Sequence, residues 1–166
     1  MSTPDGGLIL AVSFALLVAR TSGSCIALVA GQAVLLAVYA AMRGLYAEAA
    51  TIVLLNAIGL PLMLHGLASA EPRLPRFGFA ARLCAGGVLA LLAAPLSVPL
   101  AVLLLGILVV AASRDRAIQA IGLLAMQNGV ALAGSGLAEP ERIAAILPVV
   151  PALACAALLT VRRGSA

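Results

Sequence analysis

Seven long apolar runs, with almost no charge inside them, make up most of this chain. They cover approximately residues 6–19, 22–42, 47–69, 79–94, 98–113, 117–137 and 142–161. Crossing a hydrocarbon core of about 30 Å takes ~20 helical residues at 1.5 Å each. Only helices and closed barrels satisfy their backbone in lipid. Unbroken apolar runs of this length, without alternation, read as helices. Charged residues are 10% of the 166, and 64% are hydrophobic. A soluble domain is about 25% charged. The expected fold class is therefore all-α integral membrane, with about seven transmembrane helices in one membrane domain spanning residues 1–166.

Residues 47–69 and the runs at 22–42, 117–137 and 142–161 reach full span length, while the first run is short. The first charge is Asp5, with no leading basic cluster, so the first run reads as a retained helix and not a signal peptide. The stretch from Phe79 to Ser113 is too long for one span. Its "PLSVP" centre, with Pro95 and Pro99, predicts a tight turn between two short helices. A single kinked helix is the alternative. Charge counting favours two. Seven spans put Arg20, Arg73, Arg76, Arg82, Arg114, Arg116, Arg162 and Arg163 on one side and only Arg43 and Arg142 on the other. Basic residues concentrate on the cytoplasmic side. This predicts an inner-membrane, multi-pass protein with its N-terminus outside and its C-terminus in the cytoplasm. Topology also accounts for the net charge of +4 better than nucleic-acid binding does.

The six acidic residues, Asp5, Glu48, Glu71, Asp115, Glu139 and Glu141, fall in loops or at helix ends. Ionisable groups inside a membrane mark ion or proton paths, and none of these carboxylates lies inside a run. His65, the only His, is near the end of the third run, where an interfacial role competes with a proton relay. Asn56 sits mid-span and needs a partner on another helix. Pro61 leaves the Ala57 carbonyl without its helical donor and predicts a kink. Gln119, Gln127 and Asn128 share the sixth run with Gly122, Gly129, Gly134 and Gly136, which marks a helix packed among others. Cys25, Cys84 and Cys155 lie in separate apolar runs and read as small apolar fillers. No metal-ligand cluster, phosphate loop or nucleophile–base pair is present, so no cofactor and no catalytic role of its own are expected. Trp is absent and aromatics are 3% of the chain, which weakens the interfacial belt and hints at shielding by protein neighbours.

The last three runs carry a recognisable succession. One helix ends in "SRDR", the next reads "AIQAIGLLAMQNGVALAGSGL", an acidic loop "AEPER" follows, and the last helix ends in "VRR". This resembles the K-type membrane subunit of bacterial complex I, and more closely its longer relative, hydrogenase-4 component E. On that likeness residues 97–163 form the three-helix unit and residues 1–96 supply extra N-terminal helices. The third run, with Asn56 and Pro61, resembles the family's helix with a polar centre. The departures fall on ionisable positions. Leu124 stands where the K-type subunit has Glu, Gln127 where component E has Glu, and Asn56 where the family has Lys.

The resemblance implies a non-catalytic subunit of an ion-translocating redox complex, packed between antiporter-like and anchor membrane subunits. The neutral replacements imply a mainly structural role, with a polar path past Gln127 and Asn128 as the sharper version. A small stand-alone transporter of a neutral solute and a membrane anchor for a cytoplasmic partner are the rival readings. The transporter would be built on an inverted repeat, and none is evident in the sequence.

Overall fold

In a computed structural model of the chain, residues 4–19, 21–65 and 78–134 are described. These residues form helices and no strand. We label them α1 (Pro4–Val18), α2 (Ser22–Met42), α3 (Tyr46–His65), α4 (Phe79–Ala93), α5 (Val98–Ala112) and α6 (Arg116–Gly134). By length and composition α2, α3 and α6 are long and apolar enough to cross a membrane, while the apolar parts of α1, α4 and α5 are shorter. The seventh run, 142–161, lies outside the described residues, as do Arg73, Arg76, Arg162 and Arg163.

The chain's few polar residues punctuate it. Thr21 starts α2 by accepting a hydrogen bond from the Ser24 amide at 3.1 Å. Gly44 ends the same helix with φ of 80°, the left-handed conformation that costs glycine least. The amides of Gly44 and Leu45 then donate back to Ala41 and Ala40, satisfying carbonyls at the helix end. Ser97 caps α5 through the Leu100 amide, with Pro99 in the first turn. Residues 79–113 are thus two helices joined at Ala94–Ser97.

The break in α3 takes a different form from a simple kink. Residues Val53–Gly59 are a π-helical segment between two α-helical turns. The Leu60 amide donates to Leu55, five residues back. Pro61 has no amide to give Ala57, and its ring crowds that carbonyl. Widening the preceding turns moves the hydrogen-bond register past this defect. Such π segments recur at functional sites, and this one places Asn56 in its middle.

α2 packs on α1, α3 and α6, while α5 packs on α1, α4 and α6. The α5–α6 hairpin is the tightest pairing, because glycines bring the two backbones together. A Cβ on Gly106 would lie 2.7 Å from the Met126 nitrogen; one on Gly122 would lie 3.0 Å from the Gly106 oxygen. One on Gly129 would lie 2.9 Å from the Leu103 nitrogen. Any side chain there forces the helices apart.

Two apolar clusters fill the interior. The first joins Leu16, Cys25, Leu64, Val109 and Ile121 with their neighbours, and the second joins Ile9, Leu36, Ile52, Val102 and Leu132. Along α1, α2, α3, α5 and α6 the buried members of the two clusters occupy opposite halves. The outer surface is also apolar, with Leu62, Leu91, Leu92 and Leu96 strongly exposed. A surface of this kind suits a hydrocarbon solvent.

Candidate functional site

The two apolar clusters leave a thin layer between them, and the buried amides lie in it. On α1, Ser13 falls between Ile9 of one cluster and Leu16 of the other. On α2, Gln32 falls between Val29 and Ala33. On α3, Asn56 falls between Ile52 and Leu60. On α6, Gln127 and Asn128 fall between Ala125 and Ala131. All five polar residues are buried, Gln32 completely. Burying an amide without partners costs several kcal/mol in an apolar medium, roughly 1–3 kcal/mol on protein scales. The fold meets part of that cost by joining Ser13, Gln32 and Asn128.

The joined set runs across three helices. The Asn128 Nδ2 donates to Gln32 Oε1 at 3.1 Å, and Gln32 Nε2 donates to Ser13 Oγ at 2.6 Å. The Ser13 hydroxyl donates to the Ile9 carbonyl one turn back, at 2.7 Å. Every donor therefore points from α6 toward α1. At the α6 end of this directed chain, Asn128 Oδ1 is buried and has no hydrogen-bond partner among the described residues. Asn56 shares the depth of the chain, and its π segment packs against α2. Gln127 is buried one position before Asn128.

His65 and Gln119 stand apart from the layer. His65 ends α3 and is exposed. Gln119 is half-buried in the second turn of α6, where its Nε2 donates to the Ser113 carbonyl at 3.0 Å and closes the α5–α6 connection. Arg114 is exposed in that connection, and Arg116 begins α6. Arg43 is exposed at the opposite end of the bundle, beside Tyr39, with its guanidinium carbon 6.0 Å from the ring centroid.

Asp115 lies at a helix end, as the sequence places it, and is buried there. It is only 6% exposed. Its Oδ1 accepts from the Ala117 amide at 2.8 Å, and its own amide donates to Ser113 Oγ at 3.1 Å. This is an N-cap role for α6, where a negative charge also faces the positive end of the helix dipole. Half-buried Arg82, in the first turns of α4, lies at the same end of the bundle, and its Nε has no hydrogen-bond partner among the described residues.

Ser13 and Gln32 carry the layer and were not singled out by their motifs. Their signal is position: each is a polar residue near the middle of an apolar run, the same criterion that marks Asn56. Among the described residues no group of three or more His, Cys, Asp or Glu could hold a metal ion. Cys25 is buried and Cys84 exposed, and both are free thiols. The layer can donate and accept hydrogen bonds, but its side chains carry no charge to exchange. No protein-family profile, curated protein or solved structure matches the chain.

Proposed function

We propose that this chain is a non-catalytic membrane subunit of a hydrogenase-4-like or complex I-like ion-translocating redox complex, with a mainly structural role. The observation that carries this reading is the buried neutral layer. A chain resembling a proton-handling family holds Gln127 and Asn56 at positions where that family has charged groups. Both residues lie at the depth of a hydrogen-bonded Ser13–Gln32–Asn128 chain that knits three helices together. Charged side chains at that depth would mark an ion path. Amides and a hydroxyl instead act as interhelical fastenings, each worth about 0.6 kcal/mol and up to roughly 2 kcal/mol in membrane proteins.

In this reading the protein is an inner-membrane, multi-pass subunit with its C-terminus in the cytoplasm. The end bearing Arg82, Arg114 and Arg116 faces the cytoplasm and the end bearing Arg43 faces outward, as the positive-inside rule requires. Its partners are antiporter-like and anchor membrane subunits, and it holds no cofactor. The tight α5–α6 hairpin supports the same role, since a preformed hairpin gives neighbouring subunits a fixed surface.

The test is Gln127→Ala in the intact complex, with assembly, electron transfer and ion movement measured together. A structural subunit leaves the number of ions moved per electron unchanged. A collapse of ion movement with assembly and electron transfer intact would overturn the structural role and assign a proton path through Gln127.

A further inference from the structure

The hydrogen-bonded chain has a direction, and its direction leaves one end unfinished. Three successive donors point toward α1 and terminate on the Ile9 carbonyl. The other end is an acceptor, Asn128 Oδ1, on a residue only 2% exposed. A buried carbonyl-type oxygen at the head of an aligned chain is more basic than an isolated amide, because each bond polarises the next. It calls for a hydrogen-bond donor. The sequence beyond the described residues offers few. From Ile143 to Leu159 the only side chain that can donate is the weak thiol of Cys155.

The helix lengths say where a donor can enter. α5 has 15 residues, about 22 Å long at 1.5 Å per residue, which is short of a hydrocarbon core of about 30 Å. Gly129 rests against Pro99 and Leu103, so Asn128 lies alongside the first turns of α5. Val98 packs with the cluster containing Ala131 and Leu132, which puts the start of α5 roughly one helical turn, about 5–6 Å, beyond Asn128. α2 continues from Gln32 to Met42, about 15 Å further along the same direction. The α4–α5 turn at Ala94–Ser97 therefore stops well short of the α2–α3 turn. Among the described residues, the α4–α5 turn is the connection nearest in depth to Asn128 on that side of the bundle.

We infer that Asn128 Oδ1 is the binding point of a single buried water molecule, admitted from the face of the bundle that carries the α4–α5 turn. Water is the donor small enough to reach an acceptor this enclosed, and buried waters serve polar groups that protein cannot satisfy. The site belongs to the chain itself and does not depend on its assignment to a redox complex.

Infrared spectroscopy of the full chain in lipid bilayers tests this directly. Asparagine is introduced with a 13C side-chain carbonyl. The chain has only two asparagines, Asn56 and Asn128, and Asn56→Gln leaves one label. The Asn128 carbonyl stretch is expected at a hydrogen-bonded frequency, and it shifts upward when the film is dried. Exchange into H2(18)O is expected to move a buried O–H stretch that is lost in Asn128→Leu. If Asn56→Gln fails to fold, the carbonyl band that Asn128→Leu removes from the doubly labelled chain identifies Asn128, and if Asn128→Leu fails, the singly labelled Asn56→Gln chain still gives the carbonyl result. A carbonyl at the free frequency would overturn the inference. So would a hydrogen-bonded carbonyl that drying leaves unmoved, with no 18O-sensitive O–H stretch lost in Asn128→Leu, because the donor would then be a protein group.

Discussion

Replacing Gln32 with Leu keeps most of the side-chain volume but strips an acceptor from Asn128 and a donor from Ser13. Two buried groups then lose their partners, and each orphan costs about 1–3 kcal/mol in protein interiors. Membrane measurements sit lower, near 0.6 kcal/mol per bond. The expected loss for Gln32→Leu is therefore about 1–3 kcal/mol, read from reversible unfolding in mixed micelles. Removing the orphans as well, by Ser13→Ala and Asn128→Leu in the same chain, recovers part of it. A triple variant no more stable than Gln32→Leu would show that the chain of hydrogen bonds does not hold the layer. Asp115 gives a second residue-scale expectation. Asp115→Ala removes the acceptor for the Ala117 amide and costs about 1 kcal/mol, while Asp115→Asn keeps the cap and most of the stability. Equal losses in the two variants, by thermal unfolding in detergent, would contradict the capping role. Part of the layer was legible in the sequence, because Asn56, Gln127 and Asn128 stand out in apolar surroundings. Ser13 and Gln32 obey the same rule. Their importance comes from facing each other across α1 and α2, and that rotational phase is not readable from two apolar helices with almost no polar stripe. The burial of Asp115 was hidden for a related reason. A helix-end carboxylate looks solvated until the α5–α6 connection folds over it.

Among the elements, the α5–α6 hairpin depends most on the absence of side chains. Gly129→Ala sets a methyl carbon 2.9 Å from the Leu103 nitrogen, and backbone cannot yield as a side chain can. Overpacking of this kind costs typically 1–3 kcal/mol. Gly31, on the open side of α2, meets nothing within 4 Å, so Gly31→Ala gains up to about 1 kcal/mol of helix propensity. A matched comparison of the two variants by unfolding checks the hairpin, and similar effects in both would contradict it. The glycine content of the sixth run announced close packing, but only the antiparallel register with α5 shows which glycines make contact. The disruption before Pro61 was likewise legible as a defect. Its form, a π segment that carries Asn56, was not, because proline dictates only the missing donor and the clash, and leaves the chain several ways to absorb them. The "PLSVP" turn was legible from its prolines with a single kinked helix as the alternative, and the Ser97 cap of α5 settles the stretch as two helices.

For the molecule as a whole, the sequence supplied the apolar runs and the arginine asymmetry, and the described helices place Arg82, Arg114 and Arg116 at one end and Arg43 at the other. Arg43 lies at the end where α2 meets α3, and Arg114 where α5 meets α6. In a variant lacking Cys25, Cys84 and Cys155, a single cysteine introduced as Arg114→Cys is expected to react with an impermeant thiol reagent only from the cytoplasmic side. Arg43→Cys is expected to react only from outside. Labelling of both from one side would refute the orientation. In the proposed reading, the apolar outer surface and the neutral buried layer belong to a scaffold among membrane neighbours, and identifying such neighbours tests the central claim most directly. The measurement is affinity purification of the tagged chain from native membranes in mild detergent, followed by mass spectrometry. The account predicts stoichiometric recovery of antiporter-like and anchor membrane subunits together with a peripheral redox module. Recovery of the chain as a stable, lone monomer with none of these would contradict it.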